Sequence, residues 1–71
     1  MTKFELNYCI GDYCSHYEIE ITEEQIDRAV EELIDRVTEQ EEYNARCGIH
    51  FIDIDIILDN YFSEWEGDQN Q

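Results

Sequence analysis

The chain has 71 residues, of which 19 are Asp or Glu and 4 are Lys or Arg, giving a formal net charge of −15 at pH 7. That length makes one small domain, burying only about 60% of its unfolded chain's surface and leaving no room for a large enzymatic cleft. A hydrophobic content of 42%, with 13% aromatic residues, excludes a disordered acidic tail, and the excess of negative charge argues against direct binding to nucleic acid or anionic lipid.

The first residues, Met1-Thr2-Lys3-Phe4-Glu5, contain no apolar h-region, so no signal peptide is expected. The longest apolar run, Ile56-Ile57-Leu58, is far too short for a bilayer span. Three cysteines cannot form a complete set of intramolecular disulfides. That agrees with a reducing compartment, and the expectation is a soluble protein of the cytoplasm.

Residues 1–21 are expected to form a two-stranded antiparallel β-hairpin. Gly11-Asp12 suits a two-residue type II′ turn. The register then pairs Ile10 with Tyr13, Tyr8 with Ser15, Leu6 with Tyr17 and Phe4 with Ile19, so one face is almost wholly apolar. The other face pairs Cys9 with Cys14, Asn7 with His16, Glu5 with Glu18 and Lys3 with Glu20.

A long amphipathic helix follows. Thr22 is the expected N-cap, Gln25 completes a capping box, and Ile21 and Ile26 occupy the staple positions. Ile26, Ala29, Val30, Leu33, Ile34 and Val37 form one apolar stripe, set to cover the hairpin. The helix is expected to end near Tyr43–Arg46, with Gly48 at C′. The segment from Ile49 to Trp65 admits a strand, with Ile52, Ile54, Ile56 and Leu58 alternating with Phe51, Asp53, Asp55 and Ile57, or a helix. The length of the pattern favours a short extended stretch near 49–52 and then a helix. A second helix is expected from about Ile54 to Glu66, with Asp53 as its N-cap and Ile54, Ile57, Leu58, Tyr61 and Trp65 on one face. The expected fold is therefore a single α+β domain over residues 1–66, with a disordered tail at 67–71.

Two polar columns distinguish the long helix. Glu24, Arg28, Glu32 and Arg36 alternate in sign at i,i+4 spacing and are expected to neutralise one another. Asp27, Glu31, Asp35 and Glu39 share that spacing without a basic member, and Glu42 extends the row. Each like-charge pair costs about 0.2–0.5 kcal/mol. Carboxylates about 5–6 Å apart at Cβ approximate the phosphates of one nucleic-acid strand, and Lys or Arg placed for phosphate also binds carboxylate. Asp53, Asp55 and Asp59 are expected to widen the acidic patch. The competing interpretations are a merely solvated helix face and adaptation to high salt.

Other constellations are weaker. Cys9, Cys14 and His16, with Cys47 and His50, offer soft ligand types for zinc. In the hairpin register Cys9 and Cys14 stand opposite each other, free to bind metal, to oxidise or to stay idle. No cofactor is assigned. Asp53, Asp55 and Asp59 imitate the start of a calcium loop, but Ile57 and Leu58 stand where a ligand and a glycine are required. No catalytic constellation stands out, and there is no glycine-rich phosphate loop, so a non-enzymatic role is expected.

In size, charge and lysine poverty, with Lys3 as its one lysine, the whole chain resembles the small acidic DNA-mimic proteins encoded by phages. That group includes inhibitors of uracil-DNA glycosylase, restriction enzymes, CRISPR effectors and the HU nucleoid protein. Its members share no single fold or motif, so no functional residue is transferred from them. The resemblance implies an inhibitor, monomeric or a small homo-oligomer, that occupies the DNA-binding surface of a basic host protein, with an HU-like target preferred. Anti-restriction or anti-CRISPR inhibition is the near alternative, and a small zinc-binding interaction module the distant one. The expected partner-binding residues are Glu24, Asp27, Glu31, Asp35, Glu39, Glu42, Asp53, Asp55 and Asp59.

Overall fold

The computed structural model describes residues 1–65. It contains three helices, α1 over Lys3–His16, α2 over Glu23–Arg46 and α3 over Ile54–Ser63. No strand occurs among the described residues. The domain is therefore all-helical, and the expectation of an α+β fold with an N-terminal hairpin is wrong.

The reason lies in the first sixteen residues. Thr2 accepts a hydrogen bond from the Glu5 backbone N–H at 3.1 Å, and the Glu5 side chain accepts from the Thr2 N–H at 2.8 Å. This capping box starts α1 as Thr22 and Gln25 start α2. The alternating set Phe4, Leu6, Tyr8 and Ile10 hides a second period, because Leu6, Ile10 and Cys14 recur every four residues. These three are buried, while Phe4 and Tyr8 are exposed. Gly11 sits inside α1 without the positive φ that a type II′ turn requires. A helix satisfies its backbone groups internally, whereas a lone hairpin leaves two open edges and is marginal in water.

Both α1 and α2 end in Schellman motifs. At the end of α2, the Ile49 N–H bonds to Asn44 O and the Gly48 N–H to Ala45 O, with Gly48 at φ 81°. At the end of α1, the Ile19 N–H bonds to Cys14 O and the Glu18 N–H to Ser15 O. Here the left-handed position, φ 56°, belongs to Glu18. The glycine signal was present for one helix and missing for the other.

Residues 17–22 return the chain, so α2 runs antiparallel to α1. Lys3 meets Glu31 and Asn7 meets Asp27, in opposite chain order. α3 then runs back along α2, the chain passing from Phe51, held by Asn44, to Tyr61, bonded to Glu32. It so runs in the direction of α1, with Tyr13 bonded to Asp59 and its ring stacked on Phe62 at 5.4 Å. Leu6, Ile10 and Cys14 of α1, Ala29, Val30, Leu33 and Val37 of α2, and Ile57 and Leu58 of α3 form the core. Full burial of each large aliphatic side chain contributes roughly 1.5–3 kcal/mol. Ile21 and Ile26 pack against that core as a staple pair.

α2 spans the expected range, and its 24 residues are about 36 Å long at 1.5 Å per residue. It sets the longest dimension, 44 Å in a body 19 by 18 Å across. Its buried residues stop at Val37, so its C-terminal turns project past the core. Asn44 ties the returning chain to that projection by donating to Phe51 O at 3.1 Å. Residues 49–53 form no strand. α3 begins at Ile54 as expected, but the Asp53 side chain makes no cap hydrogen bond. The helix ends at Ser63, leaving Trp65 beyond it, edge-on to Phe62 at 5.4 Å. The expected helix end at Glu66 and the tail at 67–71 lie outside the described residues.

Candidate functional site

The all-acidic column is not a straight row in space. Residues four apart on an α-helix drift about 40° round its axis. From Asp27 to Glu39 the column therefore turns by about 120°. Asp27 and Glu31 fall at the edge facing α1, where Asp27 accepts from Asn7 Nδ2 at 3.2 Å. Glu31 takes both carboxylate contacts to Lys3 Nζ, at 2.9 and 3.2 Å. That pair is exposed, 58% and 65% at its side chains, so it contributes about 0–1 kcal/mol. Asp35, Glu39 and Glu42, with Glu24 a few turns earlier, are exposed on α2. No hydrogen bond or ion pair engages these four among the described residues.

The alternating column behaves differently from its expectation. Among the described residues, the ion pairs are Met1 with Glu41 and Lys3 with Glu31, and none joins Glu24, Arg28, Glu32 and Arg36. Glu32 instead accepts from Tyr61 OH at 2.5 Å. Burial, with the Glu32 hydrogen bond second, pushes the Tyr61 phenol up to about 12. Tyr13 donates to Asp59 at 2.5 Å, and that bond is the main cause of its own rise to about 12. These two phenol–carboxylate clamps fasten α3 to α2 and α1, and nothing in the local sequence pattern announced them. The amino terminus likewise holds Glu41 at 2.7 Å, which raises its affinity for a proton.

The structure does not gather all the expected acidic residues into one patch. Asp59 meets Tyr13, on the flank of α1 away from the Lys3–Asn7 edge that meets Asp27 and Glu31. Asp53 and Asp55 lie at the start of α3. The long outer face of α2 and the α3 aspartates are thus separate acidic surfaces.

The cysteines are also separated. Cys9 and Cys14, expected to oppose each other across a hairpin, lie on one helix and point about 140° apart. Cys9 is half-buried, Cys14 is in the core and Cys47 is exposed at the end of α2. His16 rests edge-on against Tyr17 at 4.8 Å, and His50 is exposed. Among the described residues, no three His, Cys, Asp or Glu side chains converge on a point that would hold a metal. Burial raises the thiol pKa of both Cys9 and Cys14, which disfavours the thiolate needed for ligation. No buried side-chain nitrogen or oxygen among the described residues lacks a partner. No described helix is long and apolar enough to cross a membrane.

Comparison with family models, with curated proteins and with solved structures gives no match for this chain.

Proposed function

We propose that this chain is an acidic DNA mimic of the host cytoplasm that binds the DNA-binding surface of a basic host protein and blocks its access to DNA. The observation that carries this reading is the outer face of α2. Glu24, Asp35, Glu39 and Glu42 stand on one continuous helix, exposed and without a partner among the described residues. The core is complete without them. A rigid helix holds such charges in a fixed array, and binding by a basic groove releases the counterions that both surfaces carry. An HU-like nucleoid protein is the preferred target, because its groove accepts DNA with little regard to sequence. A restriction enzyme or CRISPR effector would present the same chemistry.

The test is competition with DNA. Wild-type protein is expected to displace duplex DNA from an HU-type protein, with affinity falling steeply as salt rises. Replacing Glu24, Asp35, Glu39 and Glu42 together by Gln or Asn is expected to weaken that competition at least tenfold. Equal competition by the variant would make this face a merely solvated one. Competition against a restriction enzyme or CRISPR effector instead of the HU-type protein would reassign the target within the class.

A further inference from the structure

The structure turns two large aromatic side chains outward. Phe4 is 85% exposed and Tyr8 72% exposed, four residues apart on α1. Gly11 continues the same face at i+7. A Cβ placed on Gly11 would meet nothing within 4 Å, and the residue has no positive φ. Neither the packing nor the backbone of this chain calls for glycine there, although glycine weakens a helix interior relative to alanine. The result is a pair of outward-standing rings beside a position that carries no side chain.

The charge around this face is negative. Phe4 borders an open groove lined also by Lys3 and Asn7 of α1 and by Asp27 and Glu31 of α2, whose exposed carboxylates meet Asn7 and Lys3 and outnumber the one cation there. Asp12 lies one turn beyond Tyr8 on the other side. Residues 66–71 have no apolar side chain and include two acidic ones, so their composition complements neither the rings nor the carboxylates. A second copy would bring another −15 of charge to the same place. A surface bearing arginines complements both features. Guanidinium groups pair with carboxylates and stack on aromatic faces, and aromatic residues are common at the centres of interfaces.

From this we infer that Phe4, Tyr8 and Gly11 of α1 form an aromatic seat for arginine side chains of the basic partner, working beside the acidic face of α2. The inference rests on the proposed DNA-mimic function and specifies where the partner is gripped. It also separates this interface from a purely electrostatic one. Ring contacts survive salt that screens exposed carboxylates, so some affinity persists at high ionic strength.

The experiment measures binding of an HU-type protein by calorimetry at low and high salt. It compares wild type, the Phe4→Ala/Tyr8→Ala variant and Gly11→Leu. Alanine and leucine favour helix, so helical circular dichroism is expected to be retained. Both variants are expected to bind at least tenfold more weakly, with the larger relative loss at high salt. If wild type binds and displaces DNA while both variants bind equally well, the aromatic seat is overturned and the acidic-face reading stands. If wild type does not bind, both readings fall. If light scattering shows a wild-type dimer that Phe4→Ala/Tyr8→Ala dissociates, the face belongs to a second copy and the inference is overturned.

Discussion

Glu18 shows how one residue hides a helix end. Its backbone is left-handed at φ 56° in a Schellman motif that glycine fills elsewhere in this chain. A residue with a Cβ pays roughly 1–2 kcal/mol for that conformation, partly offset in glycine by greater chain entropy. Glu18→Gly is therefore expected to stabilise the fold by about 0.5–1 kcal/mol, measured by urea unfolding. An unchanged or lower midpoint would refute the strain. The tyrosine clamps make a second residue-level prediction. Tyr13 and Tyr61 have folded pKa values raised from 10.0 to about 12, so the fold prefers the protonated phenols. Their contribution is complete below pH 10.0 and is lost as pH rises towards about 12. Thermal unfolding across that window is expected to show a steeper loss for wild type than for Tyr13→Phe/Tyr61→Phe.

At the scale of the element, α1 is the decisive case. A hairpin would bury Phe4 and Leu6 on one face, whereas the helix buries Leu6 and exposes Phe4. Leu6→Ala is expected to cost about 2–5 kcal/mol, as a large-to-small change in a filled core. Phe4→Ala is expected to change stability by less than about 0.5 kcal/mol. Comparable losses from both substitutions, measured by denaturant unfolding, would restore the hairpin. α2 was legible because three signals agree over its length: a capping box, one apolar stripe and a glycine at C′. In α1 the period-two and period-four patterns share Leu6 and Ile10, so periodicity alone could not separate them. Thr2 and Glu5 carried the deciding local signal.

For the whole molecule, charge and stability work against each other. A net charge of −15 repels itself in a body 44 by 19 by 18 Å. The α2 variant with Glu24, Asp35, Glu39 and Glu42 replaced removes the like-charge neighbours Glu24–Asp27, Glu31–Asp35, Glu32–Asp35, Asp35–Glu39 and Glu39–Glu42. Against these it loses the opposite-charge neighbours Glu24–Arg28, Arg36–Glu39 and Glu42–Arg46. Each pair is worth about 0.2–0.5 kcal/mol, so repulsion is the larger loss. It is expected to unfold at an equal or higher temperature than wild type at low salt, with the difference shrinking as salt is added. A clear destabilisation would mean that these carboxylates support the fold, and would remove the argument that they are held in reserve for a partner.

Local chemistry in the sequence determined the acidic excess, the limits of α2, the start of α3 and most of the apolar residues available for a core. The acidic excess follows from composition, the limits of α2 from capping and spacing, and the start of α3 from spacing alone, since Asp53 makes no cap hydrogen bond. Tertiary structure decided which half of the N-terminal apolar residues is buried, because only contact with the α2 stripe and with Ile57 and Leu58 selects Leu6, Ile10 and Cys14 over Phe4 and Tyr8. It also decided which carboxylates are engaged. Asp27, Glu31, Glu32 and Asp59 find donors from residues 20 to 46 positions away, whereas Asp35, Glu39 and Glu42 face outward. Such pairings depend on how helices lie against one another, and no local spacing encodes that distance.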